Sequence, residues 1–369
     1  MSHAFSRRGF LGRSAAALAA PLAAQRSELV QVGLIGAGGR GTGLLRSTLE
    51  ADTARVVALC DTHEGRLAEA QRLCARDSPQ GYSDYRRLLE HKGLDAVFIS
   101  TPCHLHKAMA IDALSAGRHV YCEKPLAITP ADCNAVARAA RSSSRVFQIG
   151  QQLRYSKVYR EAVAKIHDGF IGKLLFIRAQ RHHSTRTVTV RPGKEWYYDR
   201  EQCGDIIVEN AVHEIDVFNW VNGAPPLRAC GMGGCNLFAG QPPGRSVTDH
   251  YIVTWEYPGG VHVTYSQADY THQMVGGGRS EQVHGATLSV ELGTGKFYAP
   301  GTREPVYAVS LDGKDDLDLQ AIQGFLDCIR NNKKPFADVE VARLAALTAL
   351  LGRTAFYEGR TVRWEEVAG

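Results

Sequence analysis

Long hydrophobic runs are missing from this chain of 369 residues once the first 24 are set aside. None reaches the roughly 18 consecutive apolar residues that a membrane-spanning helix needs, so the sequence predicts no span there. Hydrophobic residues make up 44% and charged residues 22%, which is typical of a globular protein with a core. No internal repeat or low-complexity tract interrupts the chain, and its length fits two domains.

Paired cysteines and excess charge are also scarce. The nine cysteines are scattered without any C-x-x-C motif, and an odd number leaves at least one unpaired. We therefore expect mostly buried, small hydrophobic cysteines rather than a disulfide framework or a metal site. The net charge of +5 falls to +2 once Arg7, Arg8 and Arg13 are set aside. With no basic run interleaved with aromatics, this balance predicts no binding of nucleic acid.

The first 24 residues read as a separate export segment. Ser6-Arg7-Arg8-Gly9-Phe10-Leu11 matches the twin-arginine pattern S-R-R-x-F-L, and a weakly apolar, alanine-rich stretch follows it. We expect the twin-arginine machinery to export the folded protein to a periplasmic or other extracytoplasmic location. Leu22-Ala23-Ala24 is the expected cleavage point, unless the segment stays as an anchor. A cytoplasmic protein with a disordered alanine-rich arm is the competing interpretation.

A glycine motif marks the start of the next segment. Residues 29–35 form an apolar strand, and a helical stretch begins near residue 40. Between them stand Gly36, Gly38 and Gly41 in G-x-G-x-x-G spacing. The strand before the motif and the helix after it predict a dinucleotide site, because Gly38 lets the backbone approach the pyrophosphate and the helix N-terminus faces the phosphates.

Asp61 lies twenty residues after the third glycine, at the end of the next strand, residues 56–60. An acidic residue at this point accepts hydrogen bonds from the ribose hydroxyls. Its negative charge would repel a 2′-phosphate, so the sequence favours NAD over NADP as the cofactor. Arg40 lies within the glycine segment, residues 36–41, and its positive charge weakens this preference.

Strands and helices continue to alternate as far as residue 149. The pattern predicts strands over 94–100, 118–122 and 145–149, with helices over 104–116 and 130–142. Such alternation is typical of a doubly wound α/β domain with a parallel sheet, in which ligands bind beyond the carboxyl ends of the strands. The chemically marked strand ends are the glycine motif, Ser100-Thr101-Pro102 and Glu123-Lys124-Pro125.

A family resemblance rests on three motifs: VGLIGAGGRG, STPCHLH (100–106) and CEKPLA (122–127). In combination they resemble the Gfo/Idh/MocA oxidoreductases, the family of glucose–fructose oxidoreductase and inositol dehydrogenase. The resemblance runs from about residue 29 to the C-terminus. It implies an NAD-binding Rossmann domain over 28–150 and an α+β domain for substrate binding and oligomerisation over 151–369.

The resemblance also implies the architecture of the second domain. Its sheet would be large, mostly antiparallel and open on one face, and such sheets often form dimers or tetramers in this family. The sequence agrees, because segments with strand-like alternation and glycine turns follow residue 173. They are residues 173–183, 250–257, 260–270 and 286–293.

Most cofactor contacts implied by the resemblance lie at the three marked strand ends. They are Gly36, Gly38, Gly39, Arg40, Gly41, Asp61, Thr101, Pro102, His106, Glu123 and Lys124. Lys124 would also hydrogen-bond the reacting hydroxyl of the substrate, where an ammonium stabilises developing alkoxide charge. We expect Glu123 to pair with Lys124 or to set the turn.

The stretch IIVENAVHEIDVFNWV carries two further catalytic candidates on a predicted helix. Glu209 and His213 are four residues apart, which would put both on one face, where a carboxylate raises the pKa of an imidazole and orients it. The family pattern G-G-G-x-x-x-D-x-x-x-H-x-x-D implies that His213 takes the hydroxyl proton and that Asp216 supports the site. Glu209 replaces the first aspartate of this pattern.

The remaining substrate candidates follow the last Rossmann strand or belong to the second domain. They are Arg154, Tyr155, His182, His183, Trp196, Tyr197, Asn210 and Asp216. The aromatic side chains among them would suit stacking on a sugar ring. The adjacent histidines raise the question of a metal, but the sequence locates no third ligand, so no metal is predicted.

Two enzymatic functions stay open, and both reconcile export with a nicotinamide cofactor. The first is an NAD(P)-dependent oxidoreductase that acts on a sugar, glycoside or cyclitol hydroxyl and recycles a tightly bound cofactor within each catalytic cycle. The alternative is an NAD-dependent glycoside hydrolase that transiently oxidises C3, eliminates the aglycone, adds water and returns the hydride. A sugar-binding protein or sensor with a dead site is disfavoured, because both Lys124 and His213 are present.

Overall fold

The computed structural model describes residues 29–185, 190, 192–272 and 274–369. The segment that resembles an export signal, residues 1–24, lies outside the described residues. No described helix combines the length and the apolar character that crossing a membrane requires.

A six-stranded parallel sheet forms the centre of the N-terminal part. Its strands are β1 (Val30–Ile35), β2 (Ala54–Cys60), β3 (Gln80–Tyr82), β4 (Ala96–Ile99), β5 (His119–Cys122) and β6 (Phe147–Ile149). They lie in the order β3-β2-β1-β4-β5-β6. The order reverses between β1 and β4, the position at which such sheets bind ligands. The doubly wound sheet predicted from the alternating pattern is confirmed.

Five helices connect these strands. They are α1 (Gly39–Glu50), α2 (Glu64–Leu73), α3 (Tyr85–Leu89), α4 (His106–Ser115) and α5 (Pro130–Arg141). Local chemistry explains where α5 begins, because the Thr129 side chain accepts a hydrogen bond from Asp132 N and Pro130 occupies the first turn. Its buried residues recur every three or four positions, which turns one face of the helix to the core.

A nine-stranded sheet dominates the C-terminal part. Its strands are β7 (Leu174–His182), β8 (Arg228–Gly234), β9 (His250–Tyr257), β10 (Val261–Ala268), β11 (Gly278–Gly285), β12 (Ser289–Glu291), β13 (Lys296–Tyr298), β14 (Tyr307–Ala308) and β15 (Val362–Arg363). Their order is β14-β13-β12-β11-β7-β10-β9-β8-β15. Only the β7–β10 pair among these strands is parallel, which confirms the mostly antiparallel sheet.

Seven further helices belong to this part of the chain. They are α6 (Lys157–His167), α7 (Arg200–Cys203), α8 (Ile206–Glu209), α9 (Val212–Asn222), α10 (Leu317–Arg330), α11 (Val339–Glu358) and α12 (Glu365–Ala368). Short 3₁₀ helices cover Cys103–Leu105, Gln152–Tyr155, Glu195–Tyr198 and Pro258–Gly260. Helix α11 lies directly on the sheet: Trp255 Nε1 donates to Thr348 O at 3.1 Å. A Cβ at Gly352 would come within 2.7 Å of the Trp255 ring, so a glycine permits this approach.

The large sheet has one covered face and one open face. Tyr251, Val253 and Trp255 alternate along β9 and are fully buried, whereas Ile252 between them is 57% exposed. Successive strand residues point to opposite faces, so the helices cover only one side of the sheet. Several strands were not predicted from the sequence: β3, β8, β11, β13, β14 and β15. The longest of them, β11, has the sequence GRSEQVHG, which is rich in polar residues and shows no apolar alternation.

Helix α10 joins the two parts of the molecule, although it lies far beyond residue 150. The Phe325 ring packs against Phe98 of β4 and Tyr121 of β5, with ring centroids 5.8 and 5.7 Å apart. Gln148 Nε2 also donates to Ala321 O at 2.8 Å. A helix from the C-terminal part therefore completes the core of the first sheet.

The cysteines behave as small hydrophobic residues. All nine are free, and seven of them are buried, with Cys235 half-buried and Cys230 exposed. The prediction of mostly buried cysteines without a disulfide framework is confirmed. Within the described residues there is no group of three or more histidine, cysteine, aspartate or glutamate side chains that could hold a metal ion.

Candidate functional site

A cavity of about 1430 Å³ lies where the two parts of the molecule meet, at the carboxyl ends of β1, β2, β4 and β5. The first part contributes the glycine segment, Asp61, residues 100–102, Glu123 and Lys124. The second part contributes Gln152, Arg181, Trp196, Glu209, His213, Arg279 and residues 314–318. Cofactor candidates and catalytic candidates therefore face one shared space.

The glycine segment has the shape that a bound pyrophosphate requires. Gly36 has a φ of +93°, and a Cβ there would lie 2.7 Å from Ser100 O. A Cβ at Gly41 would lie 2.0 Å from Gly36 O, so Gly41 packs helix against strand and does not line the cavity. Gly38 and Gly39 do line it, with open space where a Cβ would stand. Backbone N–H groups at the start of α1 are thus accessible to an anion.

Asp61 stands at the edge of the same cavity with its carboxylate held in place. Its Oδ2 accepts from Ala37 N at 2.8 Å, and its Oδ1 accepts from His63 N at 2.8 Å. These bonds tie the glycine segment to the start of α2. A ribose hydroxyl can still donate to the carboxylate, since each oxygen accepts more than one bond.

Arg40 is fully engaged by carboxylates of both parts. Its Nε donates to Glu123 Oε1 at 2.7 Å, and its two Nη atoms donate to the Asp318 carboxylate at 2.7 and 2.9 Å. The expected pair between Glu123 and the Lys124 ammonium does not form. Glu123 Oε1 instead accepts hydrogen bonds from Arg40 Nε and from Gln152 Nε2, the latter at 3.1 Å. The Arg40 guanidinium also links the glycine segment to the start of α10.

Lys124 forms its ion pair with Glu209 instead. Its Nζ donates to Glu209 Oε1 at 2.8 Å and to the backbone oxygen of the same residue at 2.6 Å. Burial is the largest single influence and lowers the pKa of Lys124, but the charge and hydrogen bond of Glu209, together with smaller contributions that include Glu123, outweigh burial and leave the pKa raised overall. The Lys124 side chain is therefore an ammonium near neutral pH, and it lines the cavity.

The continuous helix predicted through Glu209 and His213 is wrong. Helix α8 ends at Glu209 and α9 begins at Val212, so Asn210 and Ala211 separate two short helices. The backbone oxygen of Glu209 accepts from Lys124 Nζ at this break. The two side chains consequently do not form the carboxylate–imidazole pair that a regular helix would allow.

His213 lacks the carboxylate partner that the sequence analysis gave it. Its Nδ1 is buried and has no hydrogen-bond partner among the described residues. Burial, followed by the positive charges of Lys124, Arg181 and Arg279, lowers its pKa well below 6.5. The predicted rise in pKa is therefore a fall. His213 is a neutral imidazole near neutral pH, which is the form that accepts a proton.

Two arginines that line the cavity beside His213 escaped the sequence analysis. Arg181 of β7 and Arg279 of β11 form ion pairs with the buried Glu214. No motif marks them. Strand alternation is the signal that could have found them, because residues two apart on a strand share a face. Ala179 lies two residues before Arg181 and Glu281 two residues after Arg279, and both are buried, so the arginines belong to the covered face of the sheet.

Three predicted substrate residues lie away from the cavity lining, and their placement is a correction. Arg154 and Asp216 form a buried, two-pronged ion pair with both distances 2.8 Å, and the Arg154 guanidinium lies over the Trp220 ring. Tyr155 packs on Gly324 of α10 and accepts from Ala337 N at 3.4 Å. These side chains hold the 3₁₀ helix Gln152–Tyr155 against α9 and α10, and the ion pair satisfies two charges that burial would otherwise destabilise.

His106 is another correction, since it is 1% exposed and does not line the cavity. Its Nδ1 lies 2.7 Å from Pro125 O, and its Nε2 lies 3.0 Å from Thr101 O. His106 therefore links the segments that follow β4 and β5 without itself facing the cavity. Thr101 and Pro102 themselves line the cavity, and their contact with a cofactor stays a prediction.

The remaining substrate candidates differ in whether they line the cavity. Trp196 lines the cavity, whereas His182, His183, Tyr197 and Asn210 do not. His182 lies on β7 with its ring nitrogens 3.0 Å from Gly276 O and from Ser266 Oγ. Asn210 Nδ2 donates to Tyr197 Oη at 3.4 Å, one residue away from Trp196.

Family models match the chain over both parts. A Gfo/Idh/MocA model described as an oxidoreductase family with an NAD-binding Rossmann fold matches residues 30–151. A model of the Gfo/Idh/MocA C-terminal domain matches residues 159–291. The chain belongs to the Gfo/Idh/MocA oxidoreductase family. The Rossmann domain is accordingly an NAD-binding type, in agreement with the open glycine segment.

Named relatives of this family member resemble it over part of their length. Inositol 2-dehydrogenase of Salmonella paratyphi B is 34% identical over 194 residues, which cover 52% of this chain and 54% of the relative. A glycosyl hydrolase family 109 protein of Stenotrophomonas maltophilia is 33% identical over 204 residues, which cover 52% of this chain and 45% of the relative. The chain thus spans about half the length of the curated relatives it matches.

The fold itself extends over nearly the whole chain. The structure of levoglucosan dehydrogenase in complex with NADH and levoglucosan superimposes with a TM-score of 0.79 at 19% identity. The match covers 90% of this chain and 98% of that one. This likeness shows a shared architecture of Rossmann domain and large mixed sheet.

Proposed function

We propose that this protein oxidises a hydroxyl of a sugar, glycoside or cyclitol with a tightly bound NAD that is recycled within each catalytic cycle. One observation carries the proposal: the glycine segment and the side chains of Lys124 and His213 line the same cavity. A dinucleotide on the glycine segment and a hydroxyl at Lys124 would share one enclosed space, as transfer of a hydride between them requires.

NAD fits this cavity better than NADP does. Gly38 and Gly39 leave room for the pyrophosphate, and the fixed carboxylate of Asp61 suits ribose hydroxyls but repels a 2′-phosphate. Arg40, the residue that could have favoured NADP, already donates to Glu123 and Asp318. When bound, NAD supplies the acceptor of the hydride.

The protein side chains manage the proton. His213, neutral because burial and nearby positive charges lower its pKa, takes the proton of the substrate hydroxyl. Lys124 stays an ammonium and donates a hydrogen bond to the oxygen on which negative charge develops. Glu209 orients Lys124 and keeps it charged.

Two contacts across the cavity support retention of the cofactor. Arg40 joins the glycine segment to Asp318, and Arg66 Nη2 donates to Pro192 O at 2.9 Å. Both contacts tie the Rossmann domain to segments of the second part that line the cavity. A retained cofactor suits a protein that works away from the cytoplasmic NAD pool.

We further propose that residues 1–24 direct export of the folded, NAD-loaded protein through the twin-arginine route. The support is the S-R-R-x-F-L pattern at Ser6–Leu11. Replacement of Arg7 and Arg8 by lysine should keep the protein in the cytoplasm when cells are fractionated. Equal export of the variant would contradict this proposal.

A homodimer or homotetramer through the open face of the large sheet is also proposed. Met232 and Ile252 lie on neighbouring strands of that sheet and are 83% and 57% exposed. Clustered apolar exposure of this kind is typical of an interface. Light scattering should show an oligomer for the wild type and a smaller mass for Ile252→Lys; a monomeric wild type would contradict it.

The hydrolase is kept as a second candidate because a glycosyl hydrolase family 109 protein is among the similar proteins. Transient oxidation of the sugar would use the same roles of His213 and Lys124, with the hydride returned after elimination and addition of water. The two functions therefore differ in their products and not in their first step.

The test is product analysis by NMR with methyl and aryl glycosides, with and without a hydride acceptor. A keto-glycoside with its aglycone intact, formed only with the acceptor, supports the oxidoreductase. Free sugar and aglycone without an acceptor support the hydrolase. If folded, NAD-loaded protein transforms no glycoside or cyclitol, both proposals fail.

A further inference from the structure

Two arginines stand directly opposite each other on the substrate side of the cavity. Arg181 and Arg279 are cross-strand partners of β7 and β11. Both line the cavity together with Lys124 and His213. Like charges directly opposite in a sheet repel each other, so this arrangement is unfavourable unless other groups compensate it.

The compensating carboxylates lie behind the arginines. Glu214 Oε1 accepts from Arg181 Nε at 3.2 Å and forms an ion pair with Arg279, whose Nε lies 2.9 Å away. Arg279 also pairs with Glu281 Oε1 at 2.7 Å, and the hydroxyl of Tyr159 donates to the other oxygen of Glu281. Glu214 and Glu281 are both fully buried, and so they lie away from any substrate.

The arginines keep hydrogen-bonding capacity for a ligand. Their protein contacts use Nε and Nη2, and neither Nη1 has a hydrogen-bond partner among the described residues. The side chains are 17% and 34% exposed, and both border the cavity. The Nη1 groups of the two arginines, on adjacent strands, can each donate a hydrogen bond to one oxygen of a single carboxylate.

The field around His213 points to the same ligand chemistry. After burial, the causes that lower its pKa are the charges of Lys124, Arg181, Arg279 and Arg40. Although carboxylates pair with these cations, the cations outweigh them at the imidazole, whose pKa is lowered. The substrate side of the cavity therefore favours an anion, although a neutral sugar needs none.

Building on the function proposed above, we propose that the substrate is an acidic sugar, a uronic acid or its glycoside, whose carboxylate binds to Arg181 and Arg279. The carboxylate takes no part in the redox step. The hydroxyl carbon loses a hydride to NAD, and the hydroxyl oxygen loses its proton to His213. The bound anion also cancels part of the positive field, so His213 becomes a stronger base only when the substrate is in place.

Matched substrate pairs test this inference with the wild-type holoenzyme. Methyl glucopyranosiduronate and methyl glucopyranoside differ at C6 alone, and the galacto pair extends the comparison. With a hydride acceptor present, kcat/KM should favour the uronide about 10- to 100-fold in at least one pair, the size expected for charge-assisted hydrogen bonds. Calorimetric titration with glucuronate and galacturonate measures binding without turnover.

Variants assign the preference to the arginines. Arg279→Gln should remove most of it, so that the ratio of kcat/KM for the uronide to kcat/KM for the neutral glycoside falls, mainly through a higher KM for the uronide. Arg279→Lys keeps the charge without the planar fork and should give an intermediate preference. Arg46→Gln, at an exposed arginine of α1, is the matched control and should change neither value. Bound NAD and the melting temperature establish that each variant is folded.

The possible outcomes separate this inference from the proposed function. Equal or better turnover of the neutral glycosides overturns the acidic-sugar assignment and leaves the oxidoreductase intact. A preference for the 6-phosphate or 6-sulfate over the uronide overturns the carboxylate assignment. Uronate binding that Arg279→Gln abolishes, without oxidation of any sugar, supports the anion site but overturns the proposed function.

Discussion

The two walls of the cavity are built on different principles. The cofactor wall consists of strand ends and the glycine segment, whose backbone is fixed by the hydrogen bonds of a parallel sheet. The substrate wall consists of long charged side chains, such as Arg279 and Glu209, on short helices and neighbouring strands. On the cofactor wall, backbone geometry determines what can bind. On the substrate wall, the pairing of charged side chains determines it.

Loss of the base should produce the largest effect, and it tests the substrate wall. His213→Asn keeps a polar group of similar size but removes the proton acceptor. We expect kcat to fall about 10²- to 10⁴-fold while bound NAD is retained. His272→Asn, at an exposed histidine, is the control and should leave kcat unchanged. A His213→Asn enzyme with near-wild-type kcat would refute the role of this residue.

Lys124→Met should be the next largest change. The ammonium that stabilises the alkoxide is lost, so we expect kcat to fall about 10²- to 10³-fold. Removal of this positive charge should also raise the pKa of His213 and move the acidic limb of the pH profile upward. Lys107→Met, in a surface ion pair with Asp132, serves as the control. An unmoved limb would show that Lys124 does not act on His213.

A single methyl group in the glycine segment tests the cofactor wall. Gly41→Ala places a Cβ 2.0 Å from Gly36 O, so we expect a loss of about 1–3 kcal/mol of stability and weaker retention of NAD. Gly43→Ala, two residues along α1, meets no atom within 4 Å and should stabilise the helix by up to about 1 kcal/mol. Thermal unfolding and the NAD content after dialysis measure both. Equal behaviour of the two variants would contradict the packing role of Gly41.

The pH dependence of kcat/KM should reveal the positive field of the substrate wall. The free enzyme needs neutral His213, and the neutral fraction rises as pH rises through the pKa. Because that pKa lies well below 6.5, activity should persist to more acidic pH than an ordinary histidine allows. An acidic limb centred above 6.5 would mean that a carboxylate does pair with this imidazole.

Asp318→Asn should have the smallest effect. The Arg40–Asp318 pair is about one-third exposed, so it contributes up to roughly 1 kcal/mol. Release of NAD, followed by exchange against labelled NAD, should accelerate about 2- to 5-fold. Asp327→Asn, on the exposed side of α10, should leave the rate unchanged. No acceleration would show that this contact plays no part in retention.

The contrast between the walls also explains what the sequence could predict. The parallel, doubly wound sheet and the close approach that Gly38 permits follow from backbone rules, so both were accessible from the sequence pattern alone. The partner of Glu209 was not, because it depends on the interruption of the helix between Glu209 and Val212 and on a lysine 85 residues earlier in the chain. Periodicity carries no information about such long-range choices of partner.

The same limit applies to the substrate residues. Arg154 and Asp216 are polar residues near the expected site, and sequence distance could not show that they neutralise each other in the core. Arg181 and Arg279 belong to strands that carry no recognisable site motif, and the register of β7 against β11 brings them together. Non-local strand pairing is what turns them into one candidate site.

The most direct test of the account is a single turnover with the cofactor that the protein already holds. Purified protein, without free NAD or a hydride acceptor, is mixed with an excess of the preferred sugar, and the absorbance of reduced nicotinamide is followed. The account predicts a rapid rise equal to the bound NAD in the wild type and a far slower rise in His213→Asn. No rise in NAD-loaded wild-type protein, or a wild-type rate in His213→Asn, would contradict it.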